Sequence, residues 1–178
     1  MLSEAMMTGR MDLALLYDAG PIKGVTFERL LTEELVVVAP FGTGLAGESG
    51  SDISLPEIAE LPLLLPGRMH TIRKVVEQAF DRAEQQPNIV AEVESVMTLS
   101  EAVRTGLGAT VLPWSVARRV MDVEALELRR IEPGIEVHVS LGTPPANQPP
   151  LSKPAEAVRD VLRTVVADYV KGTNASGQ

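Results

Sequence analysis

The residues best suited to hold a small anion stand at the start of a predicted helix. Arg68, Met69, His70 and Thr71 follow a short apolar strand and open that helix, whose first backbone N–H groups have no partner within it. Such N–H groups and the helix dipole favour an anion. Because a helix terminus contributes only about 0.3–1 kcal/mol to an exposed charge, we expect Arg68 or His70 to help in fixing a carboxylate.

A second group of polar residues opens the next predicted helix. Ser95, Met97 and Thr98 follow a strand, and this strand, the helix and a later strand form a predicted βαβ unit. Ser95 then lies at the carboxyl end of the first strand, where open α/β sheets bind their ligands. Pro113 and Trp114 follow the second strand of the unit and form a third group of candidates.

Each candidate also has an ordinary structural role open to it. Ser95 is a favoured N-cap residue, although a cap and a ligand contact are compatible. His70 fits an exposed helix start, and Trp114, the only tryptophan, fits a packing role. Arg68 and Arg73 fit solvated surface charges. The sequence leaves both interpretations open for each residue.

Catalytic and metal chemistry have little support in the sequence. The chain has two histidines and no cysteine, so a catalytic triad would need Ser95 or Ser115 with His70 or His138. The nucleophile motif G-x-S-x-G is absent, and the acidic residues do not stand at metal-ligand spacing from a histidine. We therefore expect a protein that is not an enzyme and that needs neither a metal nor a cofactor.

The composition predicts a globular domain that does not bind nucleic acid by itself. The chain has 178 residues, 45% of them hydrophobic, and a net charge of −8, whereas a nucleic-acid binder needs a positive face. No run approaches the roughly 20 apolar residues of a membrane span, and the N-terminus lacks the features of a signal peptide. We expect a cytoplasmic protein without membrane contact.

Apolar residues at helical spacing predict the helices that position these candidates. The longest clear helix covers about residues 69–84, and the helix after Ser95 ends at Gly106, where a left-handed residue is favoured. A weaker helix is predicted over residues 116–121, and the last helix over residues 155–170. The last helix has a predicted inward face of five residues: Val158, Val161, Leu162, Val165 and Val166.

Apolar runs predict the strands. Residues 11–17 form a nearly continuous apolar run, which is typical of a buried parallel strand. Residues 27–31 and 35–39 predict two strands separated by a charged corner, and the second is the strongest β run in the chain. Ser54 and Glu57 form a capping box, which predicts the start of a short helix.

Six strings that follow one another along the chain resemble the effector-binding region of LysR-type transcriptional regulators. They are GRMDLAL at residues 9–15, LTEELVVV at 31–38, LLLP at 63–66 with Arg68 and His70 behind it, EVES at 92–95, GLGATVLPW at 106–114 and PLS at 150–152. The strings cover nearly the whole chain, and their common order makes the match specific. Within the family, LLLPGRMHTIR and VLPWS are similar to nitrogen-assimilation regulators.

The resemblance implies an α/β fold of two lobes, like a type 2 periplasmic binding protein. Two crossing strands, at residues 35–39 and 137–141, would join the lobes. Residues 1–39 and 142–178 would form a first lobe that is incomplete, and residues 40–141 a complete second lobe. In the family, a winged helix-turn-helix DNA-binding domain precedes the lobes, and we expect it to be absent from this chain.

The resemblance also implies an effector-sensing function, in which a small anionic metabolite, such as a carboxylate, binds between the lobes to control transcription. The implied effector-binding residues are Arg68, Met69, His70, Thr71, Ser95, Met97, Thr98, Pro113 and Trp114. DNA would be bound only through the missing N-terminal domain. Because residues 11–17 and the last helix would keep uncovered apolar faces, we expect a homo-oligomer. A solute-binding protein of a transport system shares the fold and is the alternative function.

Overall fold

The chain divides into two compact units. The computed structural model describes residues 2–17, 20–41, 52–120, 126–145 and 151–175. Unit 1 contains Met1–Thr32 and His138–Gln178, and unit 2 contains Glu33–Val137. The chain therefore leaves unit 1 once and returns to it once.

Strands and helices alternate along much of the chain, as the predicted α/β class requires. Across the described residues the elements are α1 (Leu2–Met7), β1 (Ala14–Tyr17), β2 (Thr26–Pro40), β3 (Ile53–Ser54), α2 (Leu55–Ala59), β4 (Leu63–Leu65), α3 (Thr71–Arg82), β5 (Ile89–Glu92), α4 (Val96–Arg104), β6 (Thr110–Pro113), α5 (Trp114–Val120), β7 (Leu126–Glu132), β8 (Glu136–Thr143) and α6 (Lys153–Ala175). The weak helix predicted over residues 116–121 is α5, and it starts two residues earlier than expected.

In unit 1, β1 pairs antiparallel with β8, and Ala14 lies opposite Gly142. The prediction of a buried parallel strand over residues 11–17 is therefore wrong. The strand is shorter than predicted, and Leu15 within it is 51% exposed. The prediction failed because an apolar run indicates hydrophobicity but does not indicate the direction of the neighbouring strand.

The apolar face predicted to point inward from α6 is largely exposed. Val158, Val161 and Val165 have between 52% and 61% of their surface exposed. A polar contact attaches the helix to β2, since Arg163 Nη2 donates to Glu28 Oε2 at 2.6 Å. The amphipathic period correctly predicted a helix with one apolar face, but a period cannot say which residues cover that face.

β2 is one continuous strand of 15 residues, where the sequence predicted two. The expected charged corner keeps the extended conformation, with Thr32 and Glu34 exposed and Glu33 buried. Charge alone does not break a strand, and this segment contains neither glycine nor proline at the predicted corner.

In unit 2, β2 lies between β6 and β7, β3 lies next to β7, and β4 and β5 form a two-stranded sheet. β4 and β5 run parallel, and Leu65 pairs with Glu92. A parallel bridge between Leu63 and Ala109 joins β4 to the start of β6. β6 and β7 pair antiparallel with β2, and β7 pairs parallel with β3. The central residues of β2, Val36–Val38, are fully buried.

The predicted βαβ unit is present, with α4 crossing from β5 to β6. Gly106 follows α4 and has a φ of +84°, the left-handed conformation that the sequence predicted there. Gly108 lies against the backbone of Pro62, and a Cβ atom at this position would overlap the Pro62 carbonyl oxygen. Glycine is thus required at position 108, where the chain passes close to the residue before β4.

The core of unit 2 lies between this sheet and the helices. One cluster of buried residues joins strands to α4 and α5: Val36, Val38, Leu64, Leu99, Val103, Leu112, Ala117 and Leu126. α3 buries Ile72, Val76, Ala79 and Phe80, as its apolar period predicted. Burial of each large side chain contributes about 1.5–3 kcal/mol, so these faces hold the helices in place.

None of the helices in the described residues combines the length and the apolarity that crossing a bilayer requires. The same residues contain no group of three histidine, aspartate or glutamate side chains arranged to hold a metal ion.

Candidate functional site

Three helices begin at one edge of the sheet in unit 2. α3, α4 and α5 follow β4, β5 and β6, and these strands run parallel, so their carboxyl ends share that edge. β5 and β6 flank β4 on opposite sides, which is the topology that forms a ligand crevice in open α/β sheets. The nine residues with predicted ligand contacts all lie in the three segments that open these helices, and we call them the helix-start site.

At the start of α3, His70 is the N-cap residue. Its Nδ1 accepts a hydrogen bond from the Ile72 N–H at 3.2 Å. A neutral ring with Nδ1 as acceptor carries its proton on Nε2, which is then available as a donor. Arg68 and Met69 are largely exposed beside it, with 81% of the Arg68 side chain and 85% of Met69 accessible. Thr71 is half-buried in the first turn.

At the start of α4, Ser95 is the N-cap residue. Its Oγ accepts from the Thr98 N–H at 3.4 Å, which is long for such a bond. Ser95 and Thr98 are exposed, and Met97 is 68% exposed. Ser95 therefore caps α4 in the structure. Because its hydroxyl is exposed, a contact between Ser95 and a ligand stays a prediction.

At the start of α5, the two candidates are less accessible. Pro113 is buried at the end of β6. Trp114 is half-buried and packs against the core cluster of unit 2, and the guanidinium carbon of Arg118 lies 5.8 Å from the centre of its ring. Trp114 thus has a packing role in the structure, and a ligand contact for it also stays a prediction.

Arg73 is the residue that the sequence interpretation missed. Only 2% of it is exposed, so the interpretation of Arg73 as a solvated surface charge is wrong. Its Nε donates to Glu77 Oε1 at 2.8 Å, and its Nη1 donates to the Pro66 carbonyl at 3.0 Å and to Glu92 Oε1 at 3.4 Å. Arg73 therefore holds the loop that leads into α3. The Arg73–Glu77 spacing of four residues was the only local signal of this network.

A second contact ties the loop before α3 to the loop before α4. The Gly67 N–H donates to Glu94 Oε1 at 3.1 Å. Glu94 is the residue before the cap Ser95, and the last strand bond nearby runs from the Val93 N–H to the Leu65 carbonyl at 2.9 Å. Two of the three segments of the helix-start site are thus linked directly.

An open groove of about 700 Å³ lies between α3 and β5. Arg68, Arg73 and Glu92 line it together with residues from the end of α3. The groove shares Arg68 with the helix-start site but does not include Ser95 or the start of α5. Its lining is mainly polar and charged.

The helix-start site brings polar, charged and apolar groups together. It presents backbone N–H groups at helix starts, an exposed arginine and an imidazole, which favour an anion. The exposed side chains of Met69 and Met97 offer apolar contact beside them.

Comparisons with known proteins agree with this architecture. A family model described as the LysR substrate binding domain matches residues 1–167. The nitrogen assimilation regulatory protein nac of Klebsiella aerogenes is 32% identical over 167 residues, which cover 93% of this chain and 52% of that protein. The chain spans about half the length of the curated relatives it matches.

Two solved structures have a similar fold. The regulatory domain of CcmR from Synechocystis PCC6803, in complex with 2-PG, has a TM-score of 0.78 and 19% identity, and the match covers 93% of this chain and 78% of that one. The effector binding domain of QuiR, in complex with shikimate, has a TM-score of 0.75 and 20% identity, with coverage of 94% and 77%. At these identities the likeness shows the fold alone.

These comparisons confirm the predicted α/β, periplasmic-binding-protein-like fold and the resemblance found in the six strings. They favour a regulator over the solute-binding protein of a transport system. The predicted lobe boundaries and the ligand contacts of the nine residues stay predictions. The chain belongs to the LysR substrate binding domain family.

Proposed function

We propose that this chain is the effector-sensing part of a LysR-type transcriptional regulator and that it binds a small anionic metabolite, with a carboxylate as the preferred chemistry. The observation that carries the proposal is the helix-start site, in which three helices begin at one sheet edge in a chain of this family. CcmR and QuiR, which share the fold, are each described in complex with a small molecule.

The roles of the residues follow from their geometry. The anionic group of the effector contacts free N–H groups at the start of α3 or α4, the Nε2 of His70 and the guanidinium of Arg68. Ser95 donates its hydroxyl proton to the effector while its oxygen continues to accept from Thr98. Met69 and Met97 contact the apolar part of the metabolite.

The proposed mechanism is a population shift. An effector that binds one arrangement of the domain more tightly than another shifts the equilibrium by that difference in affinity. In the proposed regulator this shift changes how subunits of a homo-oligomer pack, and it thereby repositions a separate DNA-binding domain. The protein acts in the cytoplasm and has no catalytic step.

Binding of small aliphatic and aromatic carboxylates, measured by thermal shift and calorimetry, tests the proposal. We expect Arg68→Ala and Ser95→Ala to weaken binding about tenfold or more, since a hydrogen bond to a charged group contributes roughly 1.5–3 kcal/mol. Arg82→Ala is a matched control, because Arg82 is an exposed arginine at the other end of α3.

Ser152→Ala is the matched control for the capping serine. The Ser152 Oγ accepts from the Ala155 N–H at 3.3 Å at the start of α6, so this variant also loses a serine cap but lies outside the helix-start site. The proposal is wrong if no carboxylate binds, or if Arg68→Ala and Ser95→Ala leave the affinity of a bound carboxylate unchanged.

A further inference from the structure

A carboxylate of the chain itself lies beside the helix-start site. Glu94 Oε1 accepts from the Gly67 N–H at 3.1 Å, in the loop that leads into α3. Gly67 is buried, and a Cβ atom placed on it would overlap the same Glu94 oxygen. The carboxylate therefore lies directly against the backbone of Gly67 and occupies its N–H.

The neighbouring acid, Glu92, is balanced by arginines, whereas Glu94 is not. Glu92 Oε1 lies 3.4 Å from Nη1 of the buried Arg73 and 4.0 Å from Nε of Arg68. Within the described residues, Glu94 forms no ion pair with a lysine or an arginine. Glu94 is exposed, and the Gly67 N–H is the backbone donor that its carboxylate contacts, so its negative charge repels another anion in the same place.

We propose that Glu94 determines the specificity of the effector site by occupying the Gly67 N–H with a carboxylate. This inference rests on the proposed function, because it concerns a residue that lies directly beside that site. An acidic group that approaches Gly67 must displace Glu94, whereas a hydroxyl or an amine of the effector donates to Glu94 and leaves it in place. Glu94 thus directs the anionic end of an effector away from the Gly67 N–H.

Displacement of Glu94 also has a structural effect. In the described residues, the Glu94–Gly67 contact joins the loop before α3 to the loop before α4. The bond from the Val93 N–H to the Leu65 carbonyl is the strand bond next to it. An anion that takes over the Gly67 N–H releases this link. A hydroxyl-bearing effector that keeps Glu94 in place preserves it.

Sulfate titration of the 178-residue chain, followed by the Gly67 amide signal in ¹H–¹⁵N NMR spectra, tests the inference. Sodium chloride at matched ionic strength is the reference. We compare the native chain with Glu94→Gln, which keeps an oxygen acceptor but removes the charge, and with Glu94→Ala, which removes both. Glu60→Gln is the matched control, because Glu60 is an exposed acid of unit 2 that lies before β4, at the amino end of that strand.

We expect sulfate to shift the Gly67 signal at about a fivefold lower concentration in Glu94→Gln than in the native chain. A fivefold change in affinity corresponds to roughly 1 kcal/mol. Glu94→Ala should respond at least as strongly, and Glu60→Gln should match the native chain. Glu94→Gln preserves the shape of the side chain, so its thermal unfolding should stay close to that of the native chain.

Equal sulfate midpoints in the native chain and Glu94→Gln would overturn the inference, and so would the absence of any response of Gly67 in all the variants. The proposed function fails separately. If no carboxylate binds but Glu94→Gln gains the sulfate response, Glu94 excludes anions from the Gly67 N–H although the proposed effector site is wrong. If a carboxylate binds equally well with and without the Glu94 charge, the effector site stands and the role of Glu94 falls.

Discussion

The residues that shape the helix-start site most directly are a buried arginine and two glutamates behind it. Arg73 contacts the Pro66 carbonyl, Glu77 and Glu92, and so connects the loop before α3 with β5. Breaking a buried ion pair by removing one partner leaves the other charge uncompensated. Both glutamates are partly exposed, however, and water can compensate them when the arginine is removed.

Arg73→Ala should therefore destabilise the chain by about 2–3 kcal/mol, somewhat less than the loss of a fully buried pair. Urea unfolding measures this change, with Arg82→Ala as the exposed control, which should change stability by no more than about 0.5 kcal/mol. Arg73→Lys should fall between the two, because lysine keeps the charge but loses the planar fork of donors. Equal stabilities of Arg73→Ala and Arg82→Ala would contradict a structural role for Arg73.

The capping box predicted at Ser54 and Glu57 is present in the structure. The Ser54 N–H and hydroxyl both donate to Glu57 Oε2, at 2.8 and 2.5 Å. The Ser54 hydroxyl, followed by the Ser54 backbone N–H, holds the pKa of Glu57 below its ordinary value of 4.5. A carboxyl group with a lowered pKa in the folded state stabilises the fold above its unfolded pKa, and this stabilisation is lost as the pH falls through the folded pKa.

The native chain should thus be more stable than Glu57→Gln at pH 7, and this difference should close as the pH falls below about 4.5. Denaturant unfolding between pH 3 and pH 7 measures the difference. Ser54→Ala should reduce it, because the hydroxyl makes the largest contribution to the lowered pKa. A difference that stays constant from pH 7 to pH 3 would show that the carboxylate form of Glu57 does not stabilise α2.

At the scale of elements, local patterns predicted the strand and helix succession that builds the site. The period of α3, the glycine at the end of α4 and the proline at the end of β6 are all visible in a short window of sequence. The patterns failed where pairing between distant strands decides the structure. β1 pairs antiparallel with β8, and nothing within residues 11–17 records the direction of that partner.

The contacts within the site were harder to predict than its elements. Arg73 and Glu92 are 19 residues apart, and Gly67 and Glu94 are 27 residues apart. Each contact arises because β4 and β5 are neighbours and end at the same edge, so it follows from the sheet and not from a local motif. The caps at His70 and Ser95 involve residues within three positions, and such short-range roles were open to sequence analysis.

At the scale of the whole molecule, the exposed valines of α6 bear on the oligomeric state. Val158, Val161 and Val165 form a stripe on one side of the helix, and exposed apolar surface of this kind favours association. We expect the 178-residue chain to form a dimer or an exchanged arrangement at micromolar concentration. Light scattering coupled to size-exclusion chromatography measures the mass.

Val161→Glu combined with Val165→Glu should shift the chain toward the monomer, because two charges then interrupt the stripe. Thr164→Glu is the matched control, since Thr164 is exposed on the same helix but does not belong to the stripe. A compact monomer of the native chain at micromolar concentration would contradict the prediction.

All nine residues of the helix-start site come from one uninterrupted stretch, residues 68–114. The strands and helices that carry them, β4 to the start of α5, are likewise consecutive in the chain. Recombination at two points, before β4 and within α5, would therefore transfer the complete set into a related gene as a single cassette. If these nine residues contact the effector as proposed, one exchange of a contiguous DNA segment would replace all of the contacts together.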